Sequence, residues 1–297
     1  MVTGPALPRP ARLPVLAETD PDHGGRWTSL RTGGREWLWH RTDASRHTVR
    51  PGDAFVDAGG LEECLPTVRG TPDHGAAWSR PWQRTRDGDV LECPDFVLRR
   101  TIRQGPDALR ARYRLTADPG HRLLWAAHAL LNVGRDARLD APRGAATRLF
   151  PEAATLLDRA WPPGAPHVTG FWPSPFGLRL DRLGPDDGTA VGAIITDCPS
   201  VRVIDGPDTL TLTVHTEADI PVSVALWRNL GGWPAGVPYR SIGVEPMLGA
   251  VFDLAEAGPH DAATVPSCGE LSWELEISAT RAPRTPHTPP PTLPGSP

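Results

Sequence analysis

The chain has 297 residues and contains no lysine, so all 31 of its basic residues are arginines. The absence of lysine excludes every mechanism that proceeds through a lysine Schiff base. The formal net charge is -4, and the charges are interspersed, with no basic stripe for nucleic acid and no basic amphipathic helix for a membrane surface. No stretch approaches 18 consecutive apolar residues, so the sequence predicts no membrane span.

Cysteine is scarce, and the four cysteines are widely separated with no CxxC pair, which favours neither a disulfide framework nor a zinc site. No cluster of histidine, cysteine and aspartate residues shows metal-ligand spacing, so we predict neither a metal nor a cofactor. Residues 1–14 are rich in proline and lack an apolar core of the kind that signal peptides carry. These absences together predict a cytoplasmic protein.

Strand patterns dominate, and helical periodicity is confined to residues 251–257 and 153–160. Residues 209–214 and 271–278 alternate between apolar and polar side chains, as half-buried antiparallel strands do. No linker-like break interrupts residues 15–280. We therefore predict an all-β protein, with one large antiparallel twisted β-sandwich over 15–280, a flexible segment at 1–14 and a disordered proline-rich tail at 281–297.

The run 241–246 (SIGVEP) holds a carboxylate in a strand-like setting. Alternation puts Glu245 on the face opposite Ile242 and Val244. Pro246 brings no backbone N–H, so we expect it to end the strand. The pattern predicts a carboxylate at a strand end, facing away from the apolar side, which is a suitable position for a general base.

A second strand, residues 124–133, is asymmetric. One face is wholly apolar and belongs in a core, whereas the other carries His128 and Asn132. Two polar groups on one row predict the floor of a polar pocket. The alternative is a buried histidine whose ring is satisfied by a backbone carbonyl.

Three further segments offer ligand-binding groups. His74 lies in a loop shortly before Trp78 and Arg80, and an imidazole, an aromatic ring and a guanidinium together make a polyol site. The alternative is a surface turn with scattered aromatic residues. The segment 226–234 is predicted to present Arg228 or Asn229 to a ligand, and it lacks the spacing of a phosphate loop.

An acidic turn at residues 57–64 supplies a second carboxylate, Glu63, that we expect to reach the pocket unless it lies on a solvated face. The chain also holds eleven tryptophans against two tyrosines. Tryptophan packs well against the C–H faces of sugar rings and equally well inside a core, so composition alone leaves both readings open.

The order of these motifs resembles that of the aldose 1-epimerases of the galactose mutarotase-like superfamily, over most of residues 15–280. The resemblance rests on an ordered set of motifs: Gly24–Leu30, Gly34–Trp39, Gly60–Thr67, Asp73–Gly75, His128–Asn132 and Gly243–Pro246. It implies a large twisted β-sandwich that binds a sugar in an open cleft on one face. It further implies that Glu245 is the general base, that His128 is the general acid, and that His74 hydrogen-bonds the ring oxygen or a hydroxyl.

The sequence departs from the family pattern at two points. Ala129 and Leu130 follow His128 where well-known members have an aromatic residue, and the family's separate substrate-binding aspartate has no clear match. Both departures concern the identity of the sugar. The predicted activity is cofactor-independent interconversion of the anomers of an aldose, with a small sugar as the partner. Two alternatives remain: a non-catalytic carbohydrate-binding or regulatory protein, and a glycoside hydrolase or lyase, which needs a second carboxylate about 5–9.5 Å from the first.

Overall fold

The computed structural model describes residues 9–283. Within that range it contains 21 strands: β1 Ala11–Leu13, β2 Val15–Asp20, β3 Arg26–Thr32, β4 Arg35–Glu36, β5 Leu61–Cys64, β6 Gln83–Thr85, β7 Gly88–Glu92, β8 Phe96–Gln104, β9 Leu109–Ala117, β10 Arg122–Leu123, β11 Trp125–Leu131, β12 Arg138–Asp140, β13 Ala146–Leu149, β14 Val168–Phe171, β15 Ala190–Ile195, β16 Ser200–Asp205, β17 Asp208–His215, β18 Val222–Trp233, β19 Tyr239–Leu248, β20 Ala263–Thr264 and β21 Glu270–Arg281.

Helical structure in the described range is limited to short 3-10 turns at Pro21–His23, Ala44–His47, Pro151–Leu156, Pro175–Gly177 and Leu254–Glu256. The turn at Leu254–Glu256 falls within the short helix predicted over 251–257, and the turn at Pro151–Leu156 overlaps the one predicted over 153–160. No helix in residues 9–283 is long and apolar enough to cross a membrane.

Two large sheets make up the architecture, and every pairing between the named strands of residues 9–283 is antiparallel. The nine-stranded sheet runs β12-β16-β17-β21-β9-β8-β7-β6, with β1 also paired to β21. The ten-stranded sheet runs β14-β13-β15-β18-β19-β11-β5-β3-β2, with β4 also paired to β3. A small third sheet joins β10 to β20. The predicted all-β fold is confirmed.

One hydrophobic core lies between the two large sheets. Its main cluster contains residues from both, including Trp125 and Leu226 of the ten-stranded sheet and Trp273 of the nine-stranded sheet. The indole rings of Trp125 and Trp273 lie 5.3 Å apart. The alternation predicted for 271–278 is observed, since Leu271, Trp273 and Leu275 are buried, whereas Ser272 is exposed and Glu274 is partly exposed. The two sheets therefore pack face to face as a sandwich.

The ten-stranded sheet positions the site, because β11 and β19 are neighbours at its centre. Ala126 pairs with Met247 and Leu130 with Gly243, so His128 lies opposite Glu245. Ala127 belongs to the main core cluster. Since successive side chains alternate between faces, His128 and Glu245 point away from the nine-stranded sheet. The predicted asymmetry of residues 124–133 is thus observed.

Pro246 does not end its strand, contrary to our prediction. Strand β19 continues to Leu248, and Pro246 is paired with Val224 of β18. The pairing between β11 and β19 is instead interrupted between Leu130 and Ala126, in the stretch that faces Pro246. The missing N–H therefore opens one ladder locally, and the pairing with β18 carries the strand onward.

Both ends of the sandwich differ from the predicted boundaries. Ala11–Leu13, within the segment expected to be flexible, forms β1 and pairs with the last residues of β21. Arg281, which we assigned to the tail, ends β21 and binds Asp208 through its Nε at 2.6 Å. With three residues, β1 is at the short end of the usual range for strands, and it forms by pairing with β21. Residues 1–8 and 284–297, which include most of the predicted tail, lie outside the described residues.

Candidate functional site

A cavity of about 310 Å³ opens on the outer face of the ten-stranded sheet, away from the core. Its size falls at the lower end of the range for small-molecule sites. Three residues singled out in the sequence, His74, His128 and Glu245, line it together. The complete lining is Phe55, Asp57, Val68, Arg69, Asp73, His74, His128, Leu130, Trp227, Trp233, Glu245 and Phe252.

Glu245 and His128 face each other across the floor of this cavity. The Oε1 atom of Glu245 lies 3.6 Å from Nε2 of His128. Glu245 is 2 % exposed and His128 is 8 % exposed. Oε2 of Glu245 has no hydrogen-bond partner among the described residues. A buried carboxylate oxygen without a partner is a rare and costly arrangement, and here it faces a cavity.

Gly243 makes room for that carboxylate. A Cβ atom at position 243 would lie 2.3 Å from Oε1 of Glu245 and 3.0 Å from Cβ of Trp227. Any side chain there would therefore displace the carboxylate or the indole. The glycine two residues before Glu245 is a requirement of the site geometry.

The environment moves the pKa values of the acidic and basic groups towards each other. Burial raises the pKa of Glu245 above its ordinary value of 4.5, while His128 and Arg69 oppose the shift. Burial lowers the pKa of His128 below 6.5, while the Glu245 carboxylate opposes it. Desolvation disfavours the charged form of each group. A carboxylate with a raised pKa is a stronger base at neutral pH, which suits proton abstraction.

His74 forms the wall next to His128. Its ring stacks on Phe55 with centroids 3.5 Å apart, and it meets the ring of His128 edge-on at 5.0 Å. The backbone of His74 is left-handed, with φ of +60°, a conformation that an ordinary side chain rarely adopts. Nδ1 of His74 lies 3.1 Å from Oδ1 of Asp73. Such strain is typical of residues held in place for function.

Several residues that line the cavity were missed by the sequence analysis. Asp57 accepts a hydrogen bond from the Tyr239 hydroxyl. Arg69 is 2.8 Å from Oε1 of Glu152, and its guanidinium lies over the ring of Phe252 at 4.3 Å. Asp57 and Arg69 lie in irregular segments, where no strand periodicity indicates which way a side chain points.

The tryptophans of β18 also line the cavity. Trp227 pairs with Gly243, on the same side as Glu245, and its ring meets Trp233 edge-on at 6.1 Å. Ala225 pairs with Glu245, so Trp227, two residues further along β18, lies on the same face of the sheet. Trp233 is 44 % exposed at the rim.

Glu63 does not reach the cavity, which corrects our expectation. It pairs with Ala127, whose side chain points into the core, whereas its neighbour Glu62 pairs with His128. The Glu63 carboxylate accepts hydrogen bonds from Arg100 at 2.8 Å, the Tyr113 hydroxyl at 2.8 Å and Nε1 of Trp125 at 2.8 Å. Glu63 shares a strand face with Leu61, and that alternation already pointed to the core.

Trp78, Arg80 and Asn132 are likewise absent from the cavity lining. Trp78 is fully buried and packs edge-on against Phe55, so it supports the wall without forming it. Asn132 follows the end of β11 and is exposed, because the strand ends at Leu131 before the row of His128 reaches it. Arg80 is half-buried outside the cavity.

The two β18 residues that were predicted to bind a ligand, Arg228 and Asn229, have supporting roles. Arg228 lies on the same strand face as the core residue Leu226, and its Nη2 atom is 3.5 Å from Asp187. Nδ2 of Asn229 donates to the carbonyls of Trp233 and Tyr239, and its Oδ1 accepts from the N–H of Trp233. Asn229 therefore fixes the end of the β18–β19 hairpin, which carries Trp233.

Comparison with known proteins shows similarity at the level of structure only. No family model matches the sequence, and no curated protein matches it. A structure from Escherichia coli K12, of a protein proposed to be an aldose 1-epimerase, aligns with a TM-score of 0.65 at 13% identity, covering 92% of this chain and 99% of that one. A Klebsiella pneumoniae protein, also proposed to be an aldose 1-epimerase, aligns with a TM-score of 0.62 at 13% identity, covering 90% of this chain and 77% of that one.

A third structure, a galactose mutarotase related enzyme from Lactobacillus acidophilus, aligns with a TM-score of 0.55 at 14% identity, covering 94% of this chain and 99% of that one. The alignments extend over most of both chains, so they concern the whole sandwich and not a fragment of it. At these identities the likeness concerns the fold. The chain has the fold of the aldose 1-epimerase and galactose mutarotase-like structures.

Proposed function

We propose that this protein interconverts the anomers of an aldose by general acid–base catalysis, as an isomerase that needs no cofactor. The observation that carries the proposal is the facing pair in the cavity, with Glu245 Oε1 3.6 Å from His128 Nε2. The structural relatives for which aldose 1-epimerase activity has been proposed support the same reaction. The activity is a proposal about this chain, resting on the pair, the cavity and the fold.

The reaction requires two proton transfers on one sugar. Glu245 accepts the proton of the C1 hydroxyl while protonated His128 donates a proton to the ring oxygen. The electrons of the C1–O5 bond go to the ring oxygen, and C1 becomes the aldehyde carbon of the open chain. Rotation about C1–C2 exposes the other carbonyl face. Protonated Glu245 and neutral His128 then run the same transfers in reverse, which restores both groups.

The remaining cavity residues supply binding and orientation. His74, held by its contact with Phe55, is placed to hydrogen-bond the ring oxygen or a hydroxyl. Trp227 and Trp233 offer flat surfaces for the C–H faces of the sugar ring. Arg69 is already paired with Glu152, so it contributes a hydrogen-bond donor with a largely compensated charge.

The test is anomer exchange measured by NMR over a panel of free and phosphorylated aldoses, with the wild type and Glu245→Gln compared at equal concentration. We expect enzyme-dependent exchange for at least one aldose, and a loss of about 10²-fold or more in the variant. Glu256→Gln, at an exposed carboxylate outside the cavity, is the matched control and should retain wild-type exchange.

Two outcomes would overturn the proposal. Saturable sugar binding without any exchange would identify a non-catalytic carbohydrate-binding protein. Hydrolysis of an aryl glycoside by the wild type, abolished in Glu245→Gln, would identify a glycosidase. Asp57 and Asp73 also line the cavity, so a second carboxylate is available for that chemistry, and the glycoside belongs in the panel.

A further inference from the structure

Three possible metal ligands converge at the surface, outside the cavity. They are Asp20 at the end of β2, His23 in the 3-10 turn that follows, and His47 at the end of the next 3-10 turn. One ligand atom of each lies within 4.8 Å of the other two. Oδ2 of Asp20 is 2.7 Å from Nδ1 of His23, whose ring meets that of His47 edge-on at 4.9 Å. We infer that this cluster is a binding site for a divalent transition metal.

The donor set selects the class of ion. Two imidazoles and one carboxylate suit Zn²⁺, Co²⁺ or Ni²⁺, whereas Ca²⁺ and Mg²⁺ prefer oxygen ligands throughout. Bond lengths of about 2.0–2.1 Å place tetrahedral ligands about 3.4 Å apart. The pair Asp20–His23 must therefore open slightly and His47 must move inwards. Both movements are available, because Asp20 and His23 are partly exposed and His47 is exposed.

The backbone beneath the cluster is already fixed. Arg46, the residue before His47, is buried, and its Nη2 donates to the carbonyl oxygen of His23 at 2.9 Å. The same guanidinium binds both oxygens of Glu62 at 2.9 Å. One side chain thus ties the turn that carries His23 to the turn that carries His47. Ligands on a preorganised backbone bind a metal with less loss of entropy.

Gly24 fixes the chain direction immediately after His23. Its φ is +82°, and a Cβ atom there would lie 1.9 Å from the carbonyl oxygen of Trp78. That carbonyl oxygen also accepts from Arg46 at 3.1 Å. The turn carrying His23 is therefore pressed against a buried carbonyl group and cannot shift as a unit.

The surrounding charges are compatible with a dication. Burial lowers the pKa of the Arg26 guanidinium, and the carboxylates of Glu62, Asp20 and Asp57 oppose this. Glu62 lies 3.4 Å from Arg26 as well as 2.9 Å from Arg46. The two guanidiniums are thus held by Glu62 on the buried side, while Asp20 presents negative charge on the outer side.

The spacing of the histidines in the sequence predicted no metal site. His23 and His47 belong to separate turns that only the fold brings together. None of the three ligands lines the cavity, and the proposed proton transfers do not involve them. The site therefore acts as a clip between two turns. A metal that binds only the native state stabilises it, and the gain grows with the logarithm of the free metal concentration once that concentration exceeds Kd.

The test uses the full chain after dialysis against a chelator. Zn²⁺ is titrated by calorimetry, Co²⁺ by visible absorption, and the thermal midpoint is followed with and without Zn²⁺. We expect saturable binding at one site, tetrahedral Co²⁺ bands and a higher midpoint with metal. His47→Gln should weaken binding at least about 100-fold, beyond the 10–100-fold typical of losing an outer partner of a ligand. His260→Gln, at an exposed histidine elsewhere, is the matched control.

Binding of the same affinity in wild type and His47→Gln would overturn the inference, and so would the absence of saturable binding. Either result leaves the anomer exchange assay untouched, because that assay depends on Glu245 and His128. Conversely, a metal site without any exchange activity would leave this inference standing.

Discussion

Glu63 and Glu245 are both buried carboxylates in the ten-stranded sheet, and they lie on opposite faces of it. Glu63 points into the core and accepts from Arg100, Tyr113 and Trp125, so its charge is paired and its oxygens are satisfied. Glu245 points into the cavity, with His128 at 3.6 Å and one oxygen without a partner. The two side chains share a chemical group and differ in how completely the protein satisfies it.

The difference is the one expected between a structural carboxylate and the general base that we propose. A satisfied buried charge is held by its partners, and the partners depend on it in turn. An incompletely satisfied one costs stability, and a substrate hydroxyl can supply the hydrogen bond that the protein withholds. Substitutions at the two positions should therefore have opposite consequences for stability and for activity.

The largest expected effect is on turnover when both members of the cavity pair are changed. Glu245→Gln and His128→Asn should each lower the anomer exchange rate by about 10²–10⁴-fold, because each removes one of two coupled proton transfers. The double variant should lose much less than the product of the two losses, since the groups serve one event. NMR exchange spectroscopy on all four proteins gives the coupling. A full multiplicative loss would show that the two residues act independently.

The next effect is on stability and concerns the core carboxylate. Glu63→Gln should lower the free energy of unfolding by about 3–5 kcal/mol, because Arg100 is left buried with Asp89 as its remaining ion-pair partner. Urea denaturation at pH 7 measures it. Anomer exchange per folded molecule should be unchanged. A stability loss under 1 kcal/mol would remove the contrast between the two carboxylates.

A smaller effect of opposite sign is expected for Glu245→Gln. The folded-state pKa of Glu245 is raised above the ordinary value of 4.5, so stability falls as the pH rises through 4.5, and the cost is complete above the folded-state pKa. Gln removes the cost, and we expect a gain of about 0.5–2 kcal/mol at pH 7, which is the range that single stabilising substitutions commonly give. Denaturation at several pH values should show the gain shrinking as the pH falls towards 4.5. A destabilised variant at pH 7 would contradict it.

The smallest effect is a displacement of the limbs of the pH–rate profile. Activity that requires ionised Glu245 and protonated His128 rises with pH as the carboxyl group loses its proton. It falls at higher pH as the imidazolium of His128 loses its proton. Burial raises the pKa of Glu245 above 4.5 and lowers the pKa of His128 below 6.5. The acidic and basic limbs should therefore lie closer together than the ordinary pKa values would place them, which narrows the bell-shaped profile. The profile of kcat/KM for the wild type measures this. A plateau extending well above pH 7 would show that His128 does not donate the proton.

The sequence indicated the fold well because alternation is a local signal. Strands such as β17 and β21 alternate apolar and polar residues, and an antiparallel sandwich follows from many such strands. The ends were less predictable, since β1 forms through pairing with β21 and carries no apolar pattern of its own. The prediction that Pro246 ends its strand was wrong, because the effect of the missing N–H depends on which neighbouring strand it faces.

The candidate site was only partly predictable from the sequence, for a related reason. Glu245, His128 and His74 come together in the cavity. Each lies in one of the short sequence motifs on which the family resemblance rests. Asp57 and Arg69 lie in irregular segments, where direction depends on tertiary contacts. Glu63 and Arg228 were predicted from residue type, although their strand parity placed them on the core face.

The adjacency of β11 and β19 has a consequence for how the protein is made. These strands are far apart in the sequence, and His128 faces Glu245 only after β11 and β19 have paired with each other. Pairings of such long range form slowly, because closing the long intervening chain costs entropy before the contacts stabilise it. A nascent or partly unfolded chain therefore holds the histidine and the carboxylate at unrelated positions. Recovery of anomer exchange during refolding would therefore report that the central sheet has formed. A truncated chain that lacks either strand should have no exchange activity.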